Sequence, residues 1–212
     1  MPTPLKINNI KGIECVLYHL TDARLTPQLA EYYKKHLKDK FVFNAGELKR
    51  TQFCLDLAKS VIGEETDCTV ADIGPGRRLF TALMCEEGYS QVTAVDMCYY
   101  EGCEIENDNF SFLNSTIENM EESYDYTFCF EVLEHNKLSL LEKNIDKIKS
   151  ITNKKAVISL PYYEDPVTTK GHCFTLDTEM IHQYFQGSKI YLLYRETGFS
   201  YIFFVFDCES TL

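Results

Sequence analysis

The stretch that decides the fold is Val70-Ala71-Asp72-Ile73-Gly74-Pro75-Gly76, in which a short apolar run meets two glycines separated by a proline. Helix-forming sequence follows over residues 77–87. A second strand is then predicted over residues 91–96, ending in the acid Asp96. A strand, a glycine turn, a helix and an acid-terminated strand are the parts of a βαβ nucleotide-binding unit.

The details of this unit favour an adenosine-containing ligand. Asp96 follows Gly74 at about the 20-residue interval expected of the ribose-binding acid, and it can accept hydrogen bonds from both ribose hydroxyls. Leu79 stands where the third glycine of G-x-G-x-x-G would fall, and G-x-x-x-x-G-K-[ST] is absent from the sequence. The sequence therefore gives only a weak indication of pyrophosphate binding. The alternative is an ordinary βα turn without a ligand.

Composition predicts one globular domain and limits the partners. The 212 residues are 45% hydrophobic and 13% aromatic, which suits a full core. The net charge of −11 counts against nucleic acid as the main partner. A basic cluster near the start is predicted to be a solvated helix face; it comprises Lys34, Lys35, Lys38, Lys40, Lys49 and Arg50.

Nine cysteines, an odd number without a C-x-x-C pair, predict reduced thiols in a cytoplasmic protein. The sequence shows neither a signal-peptide pattern nor a membrane span, so no membrane partner is expected. The oligomeric state is left open.

The remaining pattern predicts an α/β fold. Residues 13–18 suggest a strand, and helices are predicted over residues 26–38, 47–60 and 139–150 and from Asp177 to about residue 185. Further strands are predicted at 110–113, 124–130 and 156–160, with Pro161 ending the last. Two terminal strands, 189–195 and 199–206, are joined tightly enough to be antiparallel neighbours.

We therefore predict a Rossmann-like, mostly parallel seven-stranded sheet with a terminal antiparallel hairpin and N-terminal helices as a cap. Residues 1–45 are expected to be an N-terminal extension that covers the substrate, and residues 46–212 the ligand-binding domain.

Over residues 47–207 the chain resembles the class I S-adenosylmethionine-dependent methyltransferases. Residues 71–76 resemble the first motif of that family, and Asp96 falls at its ribose-binding acid. Residues 124–135, ending in Glu-Val-Leu-Glu-His, are similar to its fourth motif. The resemblance implies S-adenosylmethionine as cofactor. It implies a cofactor site formed by Asp72, Ile73, Gly74, Pro75, Gly76, Asp96, Met97, Ser115, Thr116, Phe130 and Glu131.

The chain departs from this family in two places. Arg78 stands where a third glycine is common, so either the turn is wider there or the arginine side chain points outward. The third motif often contains Gly-Asp, whereas this chain has Leu113-Asn114-Ser115-Thr116. Ser115 could still place a hydroxyl near the adenine amino group.

Methyl transfer to an oxygen benefits from a nearby base, and His135 and His172 are the candidates. A purely structural role for His135 at its turn is the alternative. Tyr162 and Tyr163 follow the fifth predicted strand and are candidates for lining the acceptor pocket, because ligands of open α/β sheets bind at the carboxyl ends of strands.

A second interpretation uses Glu131, Glu134, His135 and His172 together as ligands of a divalent metal. On a helical turn the first three would share one face. This pattern is similar to the small-RNA 3′-end ribose 2′-O-methyltransferases, in which such residues bind a metal that holds the terminal ribose hydroxyls.

Three functions follow from these patterns. The first is S-adenosylmethionine-dependent methylation of a hydroxyl or amine on a small molecule such as a sugar or metabolite. The second is metal-assisted methylation of an RNA 3′-terminal ribose. The third is a catalytically inactive protein that binds the cofactor for regulation.

Overall fold

The computed structural model describes residues 6–10, 13–20, 45–99, 104–162, 169–194 and 200–209. The strands in these ranges are β1 (Lys6–Ile10), β2 (Ile13–His19), β3 (Thr69–Ile73), β4 (Gln91–Asp96), β5 (Phe110–Asn114), β6 (Tyr124–Phe130), β7 (Thr152–Tyr162), β8 (Lys189–Tyr194) and β9 (Ser200–Asp207). The α-helices in the same ranges are α1 (Ala45–Ile62), α2 (Leu79–Glu86), α3 (Leu141–Ser150) and α4 (Thr178–Tyr184).

All nine of these strands form one sheet in the order β1-β2-β8-β9-β7-β6-β3-β4-β5. Strands β3 to β7 pair in parallel, while β9 is antiparallel to both β7 and β8. This confirms the predicted α/β fold with its terminal antiparallel hairpin. The turn of that hairpin, residues 195–199, lies outside the described residues.

Two strands from the N-terminal region extend the predicted seven-stranded sheet. β2 pairs in parallel with β8, and β1 pairs antiparallel with β2. Part of residues 1–45 therefore belongs to the same sheet as the rest of the chain. The helix predicted over residues 26–38 lies outside the described residues, and the next predicted helix is α1.

The sheet is covered on both faces, since successive strand residues point to opposite sides. Phe128 on the central strand β6 packs with residues of α1 and α2, such as Phe53 and Leu83. The next residue, Cys129, packs with residues of α3 and α4, such as Ile145 and Ile181. Because both faces are covered, β3 and β6 are buried along almost their whole length.

Strand β7 is longer than predicted and includes Pro161. The prediction that this proline ends the strand is wrong, because its neighbour β6 stops first. The last residue of β6 in register is Phe130, opposite Ser159, while β9 continues opposite Pro161 at Tyr201. A missing N–H is tolerated on a side that has no partner strand.

Two further features agree with the sequence patterns. The Asp177 carboxylate accepts a hydrogen bond from the backbone N–H of Met180 at 2.8 Å and caps α4 as predicted. The cysteines in the described ranges are free thiols, and most of them are buried. Among the described helices, none combines the length and the apolar character needed to cross a membrane.

Candidate active site

The turn after β3 contacts two other parts of the chain, the end of β4 and the turn after β6. Gly74 has φ 67° and Gly76 has φ 53°, a region that glycine adopts without strain. The Gly74 N–H donates to the Val95 carbonyl at the end of β4, at 2.8 Å. On its other side Gly74 faces Val132, so closely that an added Cβ would lie 2.5 Å from Cγ2 of that valine.

Arg78 ends this turn in the left-handed conformation, with φ 57°. This explains why related turns carry glycine there, since the left-handed conformation costs a residue with a Cβ about 1–2 kcal/mol of conformational energy. Of the two alternatives for Arg78, the outward orientation is wrong, because the residue is buried and 1% exposed. Its guanidinium carbon lies 4.2 Å from the ring centroid of Tyr99 and 4.9 Å from that of Phe112.

A first cleft of about 330 Å³ opens on one side of Gly74. Its lining combines charged groups of both signs with backbone of the glycine turn and two phenylalanines. The lining residues are Glu47, Arg50, Thr51, Cys54, Asp72, Gly74, Pro75, Gly76, Arg77, Leu79, Phe80, Phe130 and Glu131. Such a cleft suits a small ligand that carries both an amino and a carboxylate group.

Asp72 lies at the buried end of this cleft, where its side chain is 3% exposed. Burial raises the pKa of the carboxyl to about 7, the Thr81 hydroxyl opposes this shift, and the nearby Asp96 carboxylate adds to it. The Thr81 hydroxyl donates to the Asp72 carboxylate at 2.5 Å. A carboxyl with this pKa changes its charge near neutral pH.

Glu131 is a second residue in the left-handed conformation, with φ 57°. Its carboxylate accepts a hydrogen bond from the Ser159 hydroxyl at 2.8 Å and lies 3.5 Å from Nη1 of Arg50. Burial lowers the pKa of Arg50, but the Glu131 carboxylate and other neighbours outweigh this effect and the net shift is upward. A charged guanidinium from α1 is thus fixed at the cleft.

A second cleft of about 190 Å³ opens on the other side of Gly74. It is mostly apolar but includes the two acidic residues Asp96 and Glu118, which suits a flat ring system joined to a polar group. The lining residues are Ile73, Gly74, Val95, Asp96, Met97, Ser115, Thr116, Ile117, Glu118, Val132, Asn136, Leu140 and Asn144.

Every residue predicted to bind the cofactor lines one of these two clefts. Asp72, Pro75, Gly76, Phe130 and Glu131 line the first cleft. The others line the second; they are Ile73, Asp96, Met97, Ser115 and Thr116, with Gly74 shared between both.

The sequence interpretation missed the contribution of α1. Arg50 was assigned to a solvated basic face, but it lines the first cleft together with Glu47 and Thr51. The residues of that cluster before residue 45 lie outside the described part of the chain. The sequence spacing could have indicated this face, because residues three and four apart lie on the same side of a helix. The residues with this spacing in α1 are Glu47, Arg50, Thr51 and Cys54.

A cluster of titratable side chains lies on the turn after β6 and the loop after β7. Glu134, His135 and His172 offer ligand atoms that all lie within 4.8 Å of one another. Glu131 lines the first cleft while Val132 and Asn136 line the second, so the turn that carries Glu134 and His135 runs between them. The two candidate bases thus lie together, with imidazole centroids 4.8 Å apart.

The geometry of this cluster matches the spacing of metal ligands. Nε2 of His135 lies 3.9 Å from Oε1 of Glu134, and Nε2 of His172 lies 4.0 Å from the same oxygen. Two ligands that are each about 2.1 Å from one cation lie roughly 3–4 Å apart. Nδ1 of His135 lies 3.1 Å from the Gly171 carbonyl, which can only accept, so Nδ1 donates and Nε2 is the nitrogen that carries the lone pair in the neutral imidazole.

The loop after β7 is tied to this turn by its backbone. The Cys173 N–H donates to the Glu134 carbonyl at 2.7 Å, which places the neighbouring His172 beside the Glu134 carboxylate. Glu131 does not join the cluster. The helical face predicted for Glu131, Glu134 and His135 does not form, because the 3₁₀ turn begins only at Leu133 and Glu131 is left-handed.

The candidate acceptor residues are only partly described. Tyr162, at the end of β7, is buried with 3% exposure. Tyr163 lies outside the described residues.

A family model described as a methyltransferase domain matches residues 29–202. The chain belongs to this methyltransferase family. It is an S-adenosylmethionine-dependent methyltransferase, so the predicted family, enzyme class and cofactor are confirmed. A search of curated protein sequences found no match to this chain.

Solved structures share the fold of this methyltransferase at low sequence identity. Magnesium protoporphyrin IX methyltransferase from Synechocystis PCC 6803, with bound SAH, has a TM-score of 0.60 at 14% identity, covering 85% of this chain and 95% of that one. Burkholderia thailandensis 1,6-didemethyltoxoflavin-N1-methyltransferase has a TM-score of 0.61 at 15% identity, covering 85% and 86%. The small RNA methyltransferase HEN1 has a TM-score of 0.63 at 18% identity, covering 82% and 27%. These proteins act on different acceptors, so the fold alone does not identify the acceptor.

We predict that Gly74→Ala costs much more stability than Gly76→Ala. Both residues have positive φ, but only at Gly74 would the new Cβ overlap a neighbour, Val132. Left-handed strain alone costs about 1–2 kcal/mol, and overpacking adds typically 1–3 kcal/mol. Urea unfolding of both variants measures the difference. Equal losses in the two variants would contradict the close packing of Gly74 on Val132.

Proposed function

We propose that S-adenosylmethionine binds across both clefts, with its amino-acid end in the first and its adenosine in the second. The charged groups of the first cleft carry this assignment. The Arg50 guanidinium would pair with the cofactor carboxylate, and the carboxylates of Asp72 and Glu131 would face its ammonium group. Gly74 and Gly76 leave the backbone of the turn accessible to the ligand between the clefts.

In the second cleft, Asp96 would accept hydrogen bonds from the ribose hydroxyls. Its Oδ1 already accepts from the Cys98 N–H at 3.0 Å, which fixes the carboxylate and leaves Oδ2 for the sugar. The apolar side chains of Met97, Ile117 and Val132 would enclose the adenine ring, with Ser115 and Thr116 at its polar edge.

We infer that the methyl acceptor is a hydroxyl group of a small molecule, and that a divalent cation held by Glu134, His135 and His172 binds this hydroxyl. The observation that carries this proposal is the convergence of one buried carboxylate and two imidazoles. A divalent cation supplies Lewis-acid polarisation, which lowers the pKa of a bound hydroxyl.

The chain's own residues orient this site. The Gly171 carbonyl holds the tautomer of His135, and burial of Glu134 at 1% exposure favours a fixed position for its carboxylate. With these three ligands from the described part of the chain, a bound cation would keep coordination positions for acceptor oxygens. In this proposal the two histidines are ligands, whereas the base interpretation requires them to be unligated.

An acceptor with two neighbouring oxygens fits such open positions best, because both oxygens can contact one cation. A sugar diol belongs to this class. The 3′-terminal ribose of RNA carries the same diol and is the second candidate, favoured by the pattern of Glu134, His135 and His172. The net charge of −11 weighs against it, since phosphate binding calls for a basic surface.

A screen of labelled-methyl transfer tests the acceptor class. Pools of metabolites, sugars and RNA are compared with and without divalent metal. Transfer to a small-molecule diol that requires metal supports the first candidate. Transfer to intact RNA but not to RNA with a periodate-oxidised 3′ end supports the second.

We predict that Mn²⁺ binds stoichiometrically to the metal-stripped enzyme and that Glu134→Gln and His172→Gln weaken this binding by at least about 10–100-fold. Loss of groups that merely orient a ligand already has effects of this size. Glu142→Gln, an exposed acid on α3, is the matched control and should bind Mn²⁺ like the unmodified protein. Calorimetric titration gives the affinities. Full methyl transfer in excess chelator would refute the metal-assisted mechanism.

We predict that binding of S-adenosylhomocysteine is linked to ionisation of Asp72. The folded-state pKa of Asp72 is raised to about 7, so the carboxyl is mostly protonated below that pH. A ligand ammonium requires the ionised form, so affinity should fall as pH decreases through 7, with a limit of about tenfold per pH unit.

Calorimetry of the metal-free enzyme between about pH 5.5 and 8.5 measures this linkage. Asp72→Asn should bind more weakly at high pH and show a flatter profile. Identical pH profiles for the unmodified protein and Asp72→Asn would contradict the role of Asp72.

A further inference from the structure

Arg78 joins two segments of the chain that are distant in sequence. Its guanidinium lies over the ring of Tyr99, which follows β4, and over the ring of Phe112 in β5. The two rings also contact each other edge to face, with centroids 5.1 Å apart. Arg78 is 1% exposed although Tyr99 is 52% exposed, so the tyrosine ring covers the guanidinium from solvent.

The stretch from Asp96 to Tyr99 contributes to one wall of the second cleft. Asp96 and Met97 line this cleft. The Asn114 side-chain amide donates to the carbonyls of Asp96 and Met97 at 3.1 and 2.9 Å, which holds the segment on the β5 side. Arg78 contacts the same stretch of chain at Tyr99.

Arg78 is itself fixed to the glycine turn. Its N–H donates to the Pro75 carbonyl at 2.9 Å, and its carbonyl accepts from the Ala82 N–H at 2.9 Å within α2. A planar guanidinium held at its backbone and stacked on two rings therefore connects the glycine turn with the wall of the second cleft.

We propose that Arg78 is a positioning residue that sets the wall of the adenosine cleft through its contact with Tyr99. This inference rests on the proposed placement of the cofactor, since it assigns adenosine to the second cleft. It also accounts for an arginine at a left-handed position that glycine would occupy without strain. The stacking requires a planar cation, so lysine is not an adequate replacement.

The test compares Arg78→Lys, Tyr99→Leu and the double variant with the unmodified enzyme. Calorimetry measures the affinities of S-adenosylhomocysteine and of adenosine, which fills only the second cleft. Each single variant is expected to lose about tenfold in affinity for both ligands, the size of a desolvated cation–π contact. The double variant should lose no more than either single variant, because both changes remove the same contact.

Two controls separate positioning from stability. Lys149→Ala removes a similar contact, in which Nζ lies 5.1 Å from the ring centroid of Phe206, outside the two clefts. Its affinities should be unchanged. Thermal unfolding of each variant identifies the temperature range in which that variant is folded, and binding is measured within this range. A purely structural role lowers the unfolding temperature and leaves these affinities intact.

Asp96→Ala distinguishes a failure of the cofactor placement from a failure of the role assigned to Arg78. If Asp96→Ala abolishes binding while Arg78→Lys and Tyr99→Leu bind normally, the cofactor placement stands and the role of Arg78 is overturned. A loss for S-adenosylhomocysteine without a loss for adenosine also overturns it, because Arg78 would then act on the first cleft. Unchanged binding by Asp96→Ala overturns both the placement and the inference that rests on it.

Discussion

The contact between Gly74 and Val132 is the constraint on which the rest of the site depends. It brings the turn after β3 against the turn after β6, at the carboxyl ends of two adjacent parallel strands. A hydrogen bond from Gly74 to Val95 adds the end of β4 to the same point. The two clefts lie on either side of this contact, so a side chain larger than hydrogen at residue 74 would displace the turns that shape both.

Backbone strain in this methyltransferase is concentrated around the same point. In the described part of the chain, the non-glycine residues with positive φ are Arg78, at the end of the turn after β3, and Glu131, at the start of the turn after β6. Each has side-chain contacts that stabilise the unusual backbone: Arg78 with two aromatic rings, and Glu131 with Ser159 and Arg50. Strained backbone conformations persist where surrounding contacts fix them in this way, and such residues cluster at functional sites.

The sequence predicts the parts of the molecule that depend on local pattern. Apolar strands, the glycine turn and the acid at the end of β4 are short-range signals; they predict the sheet correctly and name residues that line the two clefts. Arg50 was misassigned because a helix face near a run of lysines looks solvated until tertiary packing turns it toward β3. The burial of Arg78 depends on Tyr99 and Phe112, which come from two other segments. Glu131 was expected on a helical face, but the left-handed backbone that redirects it has no local sequence signal.

The first cleft has a consequence for folding. It is assembled from α1, the turn after β3 and the end of β6, segments that are far apart in sequence and meet only when the central sheet has formed. A partly folded chain that lacks any of them does not contain this cleft. A ligand held there therefore binds the native state alone, and its binding free energy adds directly to the free energy of unfolding, increasing with the logarithm of ligand concentration. The supply of such a ligand then controls how long the folded enzyme survives in the presence of a protease that cleaves unfolded chains.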